Sequence, residues 1–183
     1  MTPRTSLHLS CLFGLLLLCA QAQASVQWFT GTPQEALDAS ASDGKPVLLY
    51  FTATWCPSCQ DLDRELLSTK AGAIATASHR AVKIDVDASG GEALVERFVV
   101  LAYPSALVFK HQQARGTELG RVVGFEGAEA WTQALVAVTD AAQSIEALRR
   151  AVEARDGDAP ALLALGRALL ERGHRREGEL TLQ

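Results

Sequence analysis

Apolar and polar positions change their period along the chain, which indicates strands alternating with helices. Residues 47–53 form a nearly unbroken apolar run, the pattern of a central strand that is covered on both faces. Residues 81–86 alternate as a second strand does, and residues 104–109 carry a third strand pattern. This order of elements predicts an α/β fold, in which a mixed sheet has helices on both of its faces.

Shorter elements are predicted around this sheet. Thr32 and Pro33 supply the N-cap and the first position of an early helix, and Gly91 opens another helix. The other predicted elements are a short strand at 26–29, a helix after Cys56 that continues through 71–77, a turn at 116–120, an edge strand at 121–124 and a helix at 126–141.

Residues 1–24 have the pattern of a secretory signal peptide. Arg4 precedes an apolar stretch at 9–20, and a small-residue motif predicts cleavage after Ala24. The apolar stretch is shorter than the roughly 18 to 20 residues of a spanning helix, and an uncleaved membrane anchor or a lipid-modified Cys19 are the alternatives. We therefore expect an exported protein, periplasmic or secreted, with no stable membrane span after cleavage.

Removing this leader changes the cysteine count. Cys11 and Cys19 lie within the leader, so the mature chain keeps only Cys56 and Cys59. A small exported domain held together by disulfides would carry several pairs at scattered spacings. One close pair at a strand-to-helix junction indicates a redox-active disulfide, because unpaired N–H groups and the helix dipole favour the thiolate there.

Other uses of the two thiols fit the sequence less well. A structural zinc site needs four ligands, and His79, His111 and His174 have no paired spacing. We therefore predict no metal and no other cofactor, and a purely structural disulfide is the remaining alternative. The formal net charge is −4 and no basic patch with interleaved aromatic residues occurs, which argues against nucleic acid as a partner.

Several separate segments of the chain resemble the thioredoxin-fold family. They span residues 26–141 in the family's order, and residues 25–141 are the predicted thioredoxin-like domain. The resemblance extends in particular to periplasmic thioredoxin-like domains that carry electrons. The segments are Lys45-Pro46 with the strand Val47-Leu-Leu-Tyr-Phe51, the motif Trp55-Cys-Pro-Ser-Cys59 and its continuation to Asp63, the strand Val82-Lys-Ile-Asp-Val86, and Tyr103-Pro104 before a strand.

The resemblance implies roles for the two cysteines and their neighbours. Cys56, exposed at the start of the helix, would attack the substrate disulfide, and Cys59 would resolve the mixed disulfide. Trp55 would shield the edge of the site. Pro57 and Ser58 would lie where the substrate binds.

The resemblance also implies a cis peptide bond before Pro104. Such a bond is a minority state in folded proteins. It would place the backbone of Tyr103 beside the cysteines, where an extended substrate peptide can pair with it. Pro104 is therefore grouped with the catalytic residues and Tyr103 with the substrate-binding residues.

One position departs from the family's pattern. Thioredoxins usually carry a buried aspartate six positions before the first cysteine, and here that position is Tyr50. Asp63 matches a helix acid of the resembling electron-carrier domains and is the candidate for the missing proton-transfer role, with Asp61 in reserve. The alternative is that these acids only stabilise the N-terminal end of the helix.

The dipeptide between the cysteines bears on the direction of electron flow. Pro57-Ser58 contains no histidine or lysine of the kind that stabilises the thiolate in strong oxidants of this fold. The sequence thus favours a reductase or electron shuttle, with a disulfide-forming oxidant as the alternative. The expected partners are disulfide-containing exported proteins and an upstream thiol electron donor.

Residues 142–183 differ in composition and form a predicted helical tail. Two amphipathic helices are predicted at 143–155 and 159–172. The tail has the spacing of degenerate tetratricopeptide repeats, which need about three units to be stable alone; a plain helical hairpin is the alternative. A second functional hypothesis is therefore a non-catalytic module in which the tail recruits a partner. The repeat-like positions are Leu162, Leu165, Gly166, Leu169, Gly178 and Leu182.

Overall fold

The computed structural model describes residues 25–112, 115–171 and 174–183, so the predicted leader lies outside the described residues. The strands are β1 (Val47–Thr52), β2 (Arg80–Asp85), β3 (Ser105–Gln112) and β4 (Arg115–Val123). The helices are α1 (Pro33–Asp43), α2 (Pro57–Leu62), which continues into a π-helical turn (Asp63–Leu67), α3 (Lys70–Thr76), α4 (Gly91–Phe98), α5 (Ala128–Ala154), α6 (Ala159–Glu171) and α7 (Arg175–Thr181).

Within these residues the strands form one mixed sheet in the order β2-β1-β3-β4. β1 pairs in parallel with β2 and antiparallel with β3, and β3 pairs antiparallel with β4. β1 is the inner strand before the cysteine motif, and all six of its residues are buried. Its continuous apolar run therefore reflects cover on both faces, as the sequence predicted.

Helices cover both faces of the sheet, which confirms the predicted fold class. On one face Leu48 and Tyr50 of β1 pack with Leu62 of α2 and with Trp131 and Leu135 of α5. On the other face the alternate β1 residues pack with helices α1 and α4 in a second cluster, which includes Val47, Leu49, Phe51, Ala36, Leu37 and Phe98. The two clusters cover both faces of β1 up to the point where the chain turns into α2.

Local sequence signals define the beginning of α1. Thr32 is the N-cap and Pro33 occupies the first turn, as predicted. The Thr32 hydroxyl accepts a hydrogen bond from the Glu35 amide, and the Glu35 carboxylate accepts one from the Thr32 amide at 2.7 Å. This reciprocal pair satisfies two N–H groups that would otherwise lack partners. Gly44 ends the helix with a φ of +70°, a conformation that favours glycine.

Several predicted elements differ in extent from the observed ones. The helix predicted to continue from Cys56 through 71–77 is interrupted at residues 68–69, and α3 begins separately with Thr69 as its N-cap. Residues 26–29 make only an isolated bridge between Trp28 and Ala81. The predicted turn at 116–120 belongs to β4, whose edge position was predicted correctly but whose length was not. The helices predicted at 126–141 and 143–155 are one continuous helix, α5, because nothing in the intervening sequence interrupts it.

The C-terminal helices pack on the part of α5 that continues past residue 141. The Lys110–Glu146 ion pair joins β3 to α5 at 3.4 Å, and Arg149 of α5 pairs with Glu177 of α7. Helices α6 and α7 approach closely at Gly166 and Gly178, where a Cβ on either would meet Leu182 or Leu170 side-chain atoms within 3 Å. The division of the chain into a domain and a repeat-like tail stays a prediction.

A buried histidine links the connection between α3 and β2 to α5. The His79 Nε2 atom lies 2.9 Å from the Thr139 hydroxyl of α5, and its Nδ1 atom lies 3.2 Å from the Ser78 hydroxyl. Burial lowers the pKa of His79 because the protonated ring loses hydration. The ring therefore acts as a neutral hydrogen-bonding group of the core and not as part of the site described below.

Among residues 25–112, 115–171 and 174–183, no helix combines the length and the apolar character that crossing a bilayer requires.

Candidate active site

The two cysteines form a disulfide where β1 ends and α2 begins. Their Cα atoms are 5.3 Å apart. Cys56 is the N-cap of α2, and its Sγ atom accepts a hydrogen bond from the Cys59 amide at 3.2 Å. An N-cap sulfur that already accepts a backbone N–H is placed to be stabilised as a thiolate after reduction.

Cys56 is less exposed than the sequence predicted. It retains 5% of its accessible surface, and Cys59 retains 1%. The expectation of an exposed attacking cysteine is therefore wrong for the disulfide form, because Ala53, Val86 and Tyr103 pack around the pair. The order of exposure is nevertheless the predicted one.

Two aromatic rings border the disulfide. Trp55 precedes Cys56 and is 61% exposed, which is unusual for a large apolar side chain. Its ring centroid lies 5.8 Å from that of Tyr103, and the two rings are nearly perpendicular at 81°. Trp55 therefore borders the site at its solvent edge.

The Tyr103–Pro104 peptide bond is cis, as the resemblance implied. Pro104 is fully buried, and its carbonyl oxygen accepts a hydrogen bond from the Gly124 amide at 2.8 Å. This bond ties the loop to the end of β4. Tyr103 packs against the disulfide at the same place, so the structure brings the proline loop and the cysteine pair together. The two residues between the cysteines, Pro57 and Ser58, are exposed at the start of α2.

A tyrosine lies directly beneath α2 where the family usually has an aspartate. Tyr50 is 1% exposed, and its hydroxyl donates to the Cys59 carbonyl oxygen at 3.5 Å and contacts the Thr52 hydroxyl at 3.3 Å. Burial raises the pKa of Tyr50, and the negative charge of Asp63 raises it further. Tyr50 is therefore a neutral hydrogen-bonding group at neutral pH.

Asp63 lies one helical turn beyond Cys59 and faces a lysine. The Asp63 Oδ2 atom accepts a hydrogen bond from Lys83 Nζ at 2.6 Å. The ammonium group also lies 5.8 Å from the ring centroids of both Trp28 and Tyr50. The other carboxylate oxygen, Oδ1, is buried and has no hydrogen-bond partner within the part of the chain that the structure describes. Asp61, the reserve candidate, instead pairs with Arg64 at the surface.

Lys83 is a member of this site that the sequence analysis missed. It pairs with Tyr50 across the parallel strands, on the face of β2 that Ala81 also occupies. The available signal was a lysine on the same face of the strand as the buried Ala81, although Lys83 itself is exposed. A lysine at such a position can lay its aliphatic stem along aromatic surface while its ammonium group meets a counter-charge.

Comparison with known proteins identifies the family. A family model described as thioredoxin-like matches residues 28–111. A thioredoxin from Echinococcus granulosus is 31% identical over 90 residues, which cover 49% of this chain and 76% of that protein. The chain belongs to the thioredoxin family. Its fold and its Cys56–Cys59 pair are those of a thioredoxin-like thiol:disulfide oxidoreductase.

Two further comparisons agree with this family. A thiol:disulfide interchange protein DsbD from Ralstonia nicotianae is 34% identical over 113 residues, which cover 60% of this chain but only 18% of that protein. The chain thus matches a small part of the DsbD relative's length. The solution structure of a thioredoxin from Thermus thermophilus has a TM-score of 0.55 at 24% identity and covers 63% of this chain and 88% of that one, which shows the same fold.

Across the described residues 25–112, 115–171 and 174–183, no group of three or more histidine, cysteine, aspartate or glutamate side chains could hold a metal ion.

Proposed function

We propose that the protein is an exported thiol:disulfide oxidoreductase that reduces disulfides in other exported proteins, or passes electrons to them, through Cys56 and Cys59. The observation that carries the proposal is the N-cap position of Cys56, whose sulfur accepts the Cys59 amide. The interchange function named for the DsbD relative supports the same chemistry. The apolar leader supports export.

In the proposed reaction the two thiols of the protein are oxidised to a disulfide and one substrate disulfide is reduced to two thiols. In the reduced protein the Cys56 thiolate attacks one sulfur of the substrate disulfide, and the other substrate sulfur leaves as a thiolate. Cys59 then loses its proton and attacks Cys56 Sγ, which releases the second substrate thiol. The protein ends oxidised and the substrate reduced, so an upstream dithiol must return two electrons to the pair.

The surroundings of Cys56 support this direction. Pro57 and Ser58 are exposed and offer the Cys56 thiolate no cationic side chain. The thiolate is therefore stabilised mainly by backbone N–H groups, and the dithiol should remain a good electron donor.

Asp63 is proposed to accept the proton of Cys59 during resolution. Its buried Oδ1 atom has no partner in the described part of the chain, while Lys83 holds Oδ2 and thereby fixes the carboxylate beneath α2. The Tyr50 hydroxyl donates to the Cys59 carbonyl oxygen, and Tyr50 is also close enough to Asp63 for the carboxylate charge to raise the pKa of Tyr50. Lys83 would also offset the negative charge of Asp63, because that charge alone would raise the pKa of a nearby thiol.

Selective alkylation tests the assigned roles of the two thiols. In the reduced protein at neutral pH, Cys56 should react with iodoacetamide at least about tenfold faster than Cys59, because it is the N-cap and the more exposed thiol. Mass spectrometry of the labelled peptides measures the ratio. In urea the two thiols should react at similar rates, and equal rates in the folded protein would refute the assignment.

The redox equilibrium with glutathione tests the direction of electron flow. We expect a potential near the value of about −270 mV typical of thioredoxin. A potential near about −120 mV, typical of a strong oxidant of this fold, would reverse the direction and make the protein a disulfide-forming enzyme.

Replacing Asp63 with asparagine tests its proton-transfer role. The rate of disulfide reduction at pH 7 should fall about 10²-fold, at the lower end of the usual range for loss of a general base, and the deficit should shrink at higher pH as the thiol ionises unaided. Asp61→Asn is the matched control, because it removes a surface carboxylate from the same helix. If Asp63→Asn and wild type have the same pH–rate profile, Asp63 serves only to pair with Lys83.

A further inference from the structure

A cleft of about 630 Å³ opens beside the disulfide, on the side of the β2–α4 loop. Val86 and Tyr103 line this cleft and also pack against the cysteine pair, so the cleft and the disulfide share a wall. Trp55 forms the rim next to Cys56. A polypeptide whose disulfide reaches Cys56 therefore has its neighbouring residues at the mouth of this cleft.

The charged side chains that line the cleft are acidic. Asp87 and Glu92 line it, both are exposed, and the described residues include no lysine or arginine in its wall. The nearest turn is held by the Asp85 carboxylate, which accepts the Asp87 amide at 3.0 Å and leaves the Asp87 side chain directed to solvent. The N-terminal end of α4 contributes a partial positive charge, which Glu92 in its first turn offsets.

The aromatic rim of the cleft favours a positively charged ligand, as the acidic lining does. The perpendicular rings of Trp55 and Tyr103 present an open apolar surface at the cleft. Aromatic faces combined with carboxylates bind organic cations, because the ring attracts the cation and the carboxylates supply counter-charge. The long aliphatic stem of a basic side chain can lie along such rings while its charged end reaches the carboxylates.

We infer that this cleft binds a lysine or arginine side chain close to the disulfide of the substrate polypeptide, and that Asp87 and Glu92 set this preference. The inference rests on the proposed function, and it names the substrate class: exported proteins whose reducible cysteine has a basic neighbour. Because both carboxylates are solvent-exposed, the preference is moderate and sensitive to salt.

Three synthetic disulfide peptides that differ only at the residue after one cysteine test the inference. The reduced wild-type protein should reduce the lysine peptide about threefold faster than the glutamine peptide, and the glutamine peptide about threefold faster than the glutamate peptide, at low salt. The differences should nearly vanish in about 0.5 M NaCl. The double variant Asp87→Asn/Glu92→Gln should reduce all three peptides at nearly the glutamine-peptide rate of wild type.

A matched control removes two negative charges elsewhere. Glu129→Gln/Glu153→Gln changes two acids of α5 by the same total charge and should retain the order lysine, glutamine, glutamate. If the wild type reduces the three peptides at equal rates, the inference is wrong and the proposed function stands. If it reduces none of them, both are wrong. If the control variant loses the preference, net charge and not the cleft is responsible, which also overturns the inference.

Discussion

Replacing Cys56 with serine is expected to abolish disulfide reduction, with a loss of about 10³-fold or more in the rate of insulin reduction, because a serine hydroxyl does not ionise near neutral pH and cannot attack a disulfide. The fold should survive, since the side chain is small and its N-cap role suits serine equally well. Turbidity from precipitating insulin chains measures the rate, and a thermal melt verifies the fold.

Cys59→Ser is the informative control for this experiment. It keeps the attacking thiol but removes the resolving one, so it should accumulate a mixed disulfide with its substrate, visible as a shift on a non-reducing gel. Neither cysteine variant should reduce insulin catalytically, yet only Cys59→Ser should trap a partner. If Cys56→Ser keeps its function and removing residues 142–183 abolishes it, the non-catalytic module is the correct hypothesis.

Gly91→Ala is expected to destabilise the protein by about 3 kcal/mol, near the upper end of the usual cost of overpacking. A Cβ at this position would lie 2.4 Å from the Val86 carbonyl oxygen and 2.6 Å from the Asp85 carbonyl oxygen. Both contacts are with backbone, which cannot rotate away as a flexible side chain can. Helix α4 must therefore shift away from the end of β2, and urea unfolding measures the cost.

A substitution at an exposed position of α4 shows whether the cost is specific to the tight contact at Gly91. Glu96→Ala lies in the same helix at an exposed position, and its effect on the free energy of unfolding should stay within about 0.5 kcal/mol. Equal stabilities of Gly91→Ala and wild type would mean that α4 moves freely against β2. In that case the walls of the cleft beside the disulfide are not held in place by this contact.

Glycines in β4 show why one part of the fold was predicted wrongly. Gly116 and Gly120 indicated a turn, yet both lie within a strand. A Cβ on Gly116 would lie 2.7 Å from Leu37 Cδ2, and a Cβ on Gly120 would lie 3.0 Å from Val138 Cγ1. These glycines allow helices to approach the sheet closely, a requirement that only the packed structure reveals.

Asp63, beside the cysteines, shows the same limit of prediction from sequence within the site. The sequence placed Asp63 one helical turn after Cys59, which is a matter of helical spacing alone. Its partner Lys83 comes from β2, and the register that sets Lys83 opposite Tyr50 depends on pairing between distant segments. Sequence periodicity predicts which face a residue occupies, but it does not predict which residue of another element it meets there.

The sequence by itself determined the order of strands and helices, the mixed sheet with helices on both faces, and the position of the cysteine pair after a buried strand. These features follow from local periodicity and from capping and turn residues, which act over a few positions. Only the tertiary structure decided that Cys56 is largely covered, that Lys83 holds Asp63, and that Trp55 and Tyr103 border an acidic cleft. Each of these depends on contacts between segments far apart in sequence, whose geometry is fixed when the sheet and its helices pack together.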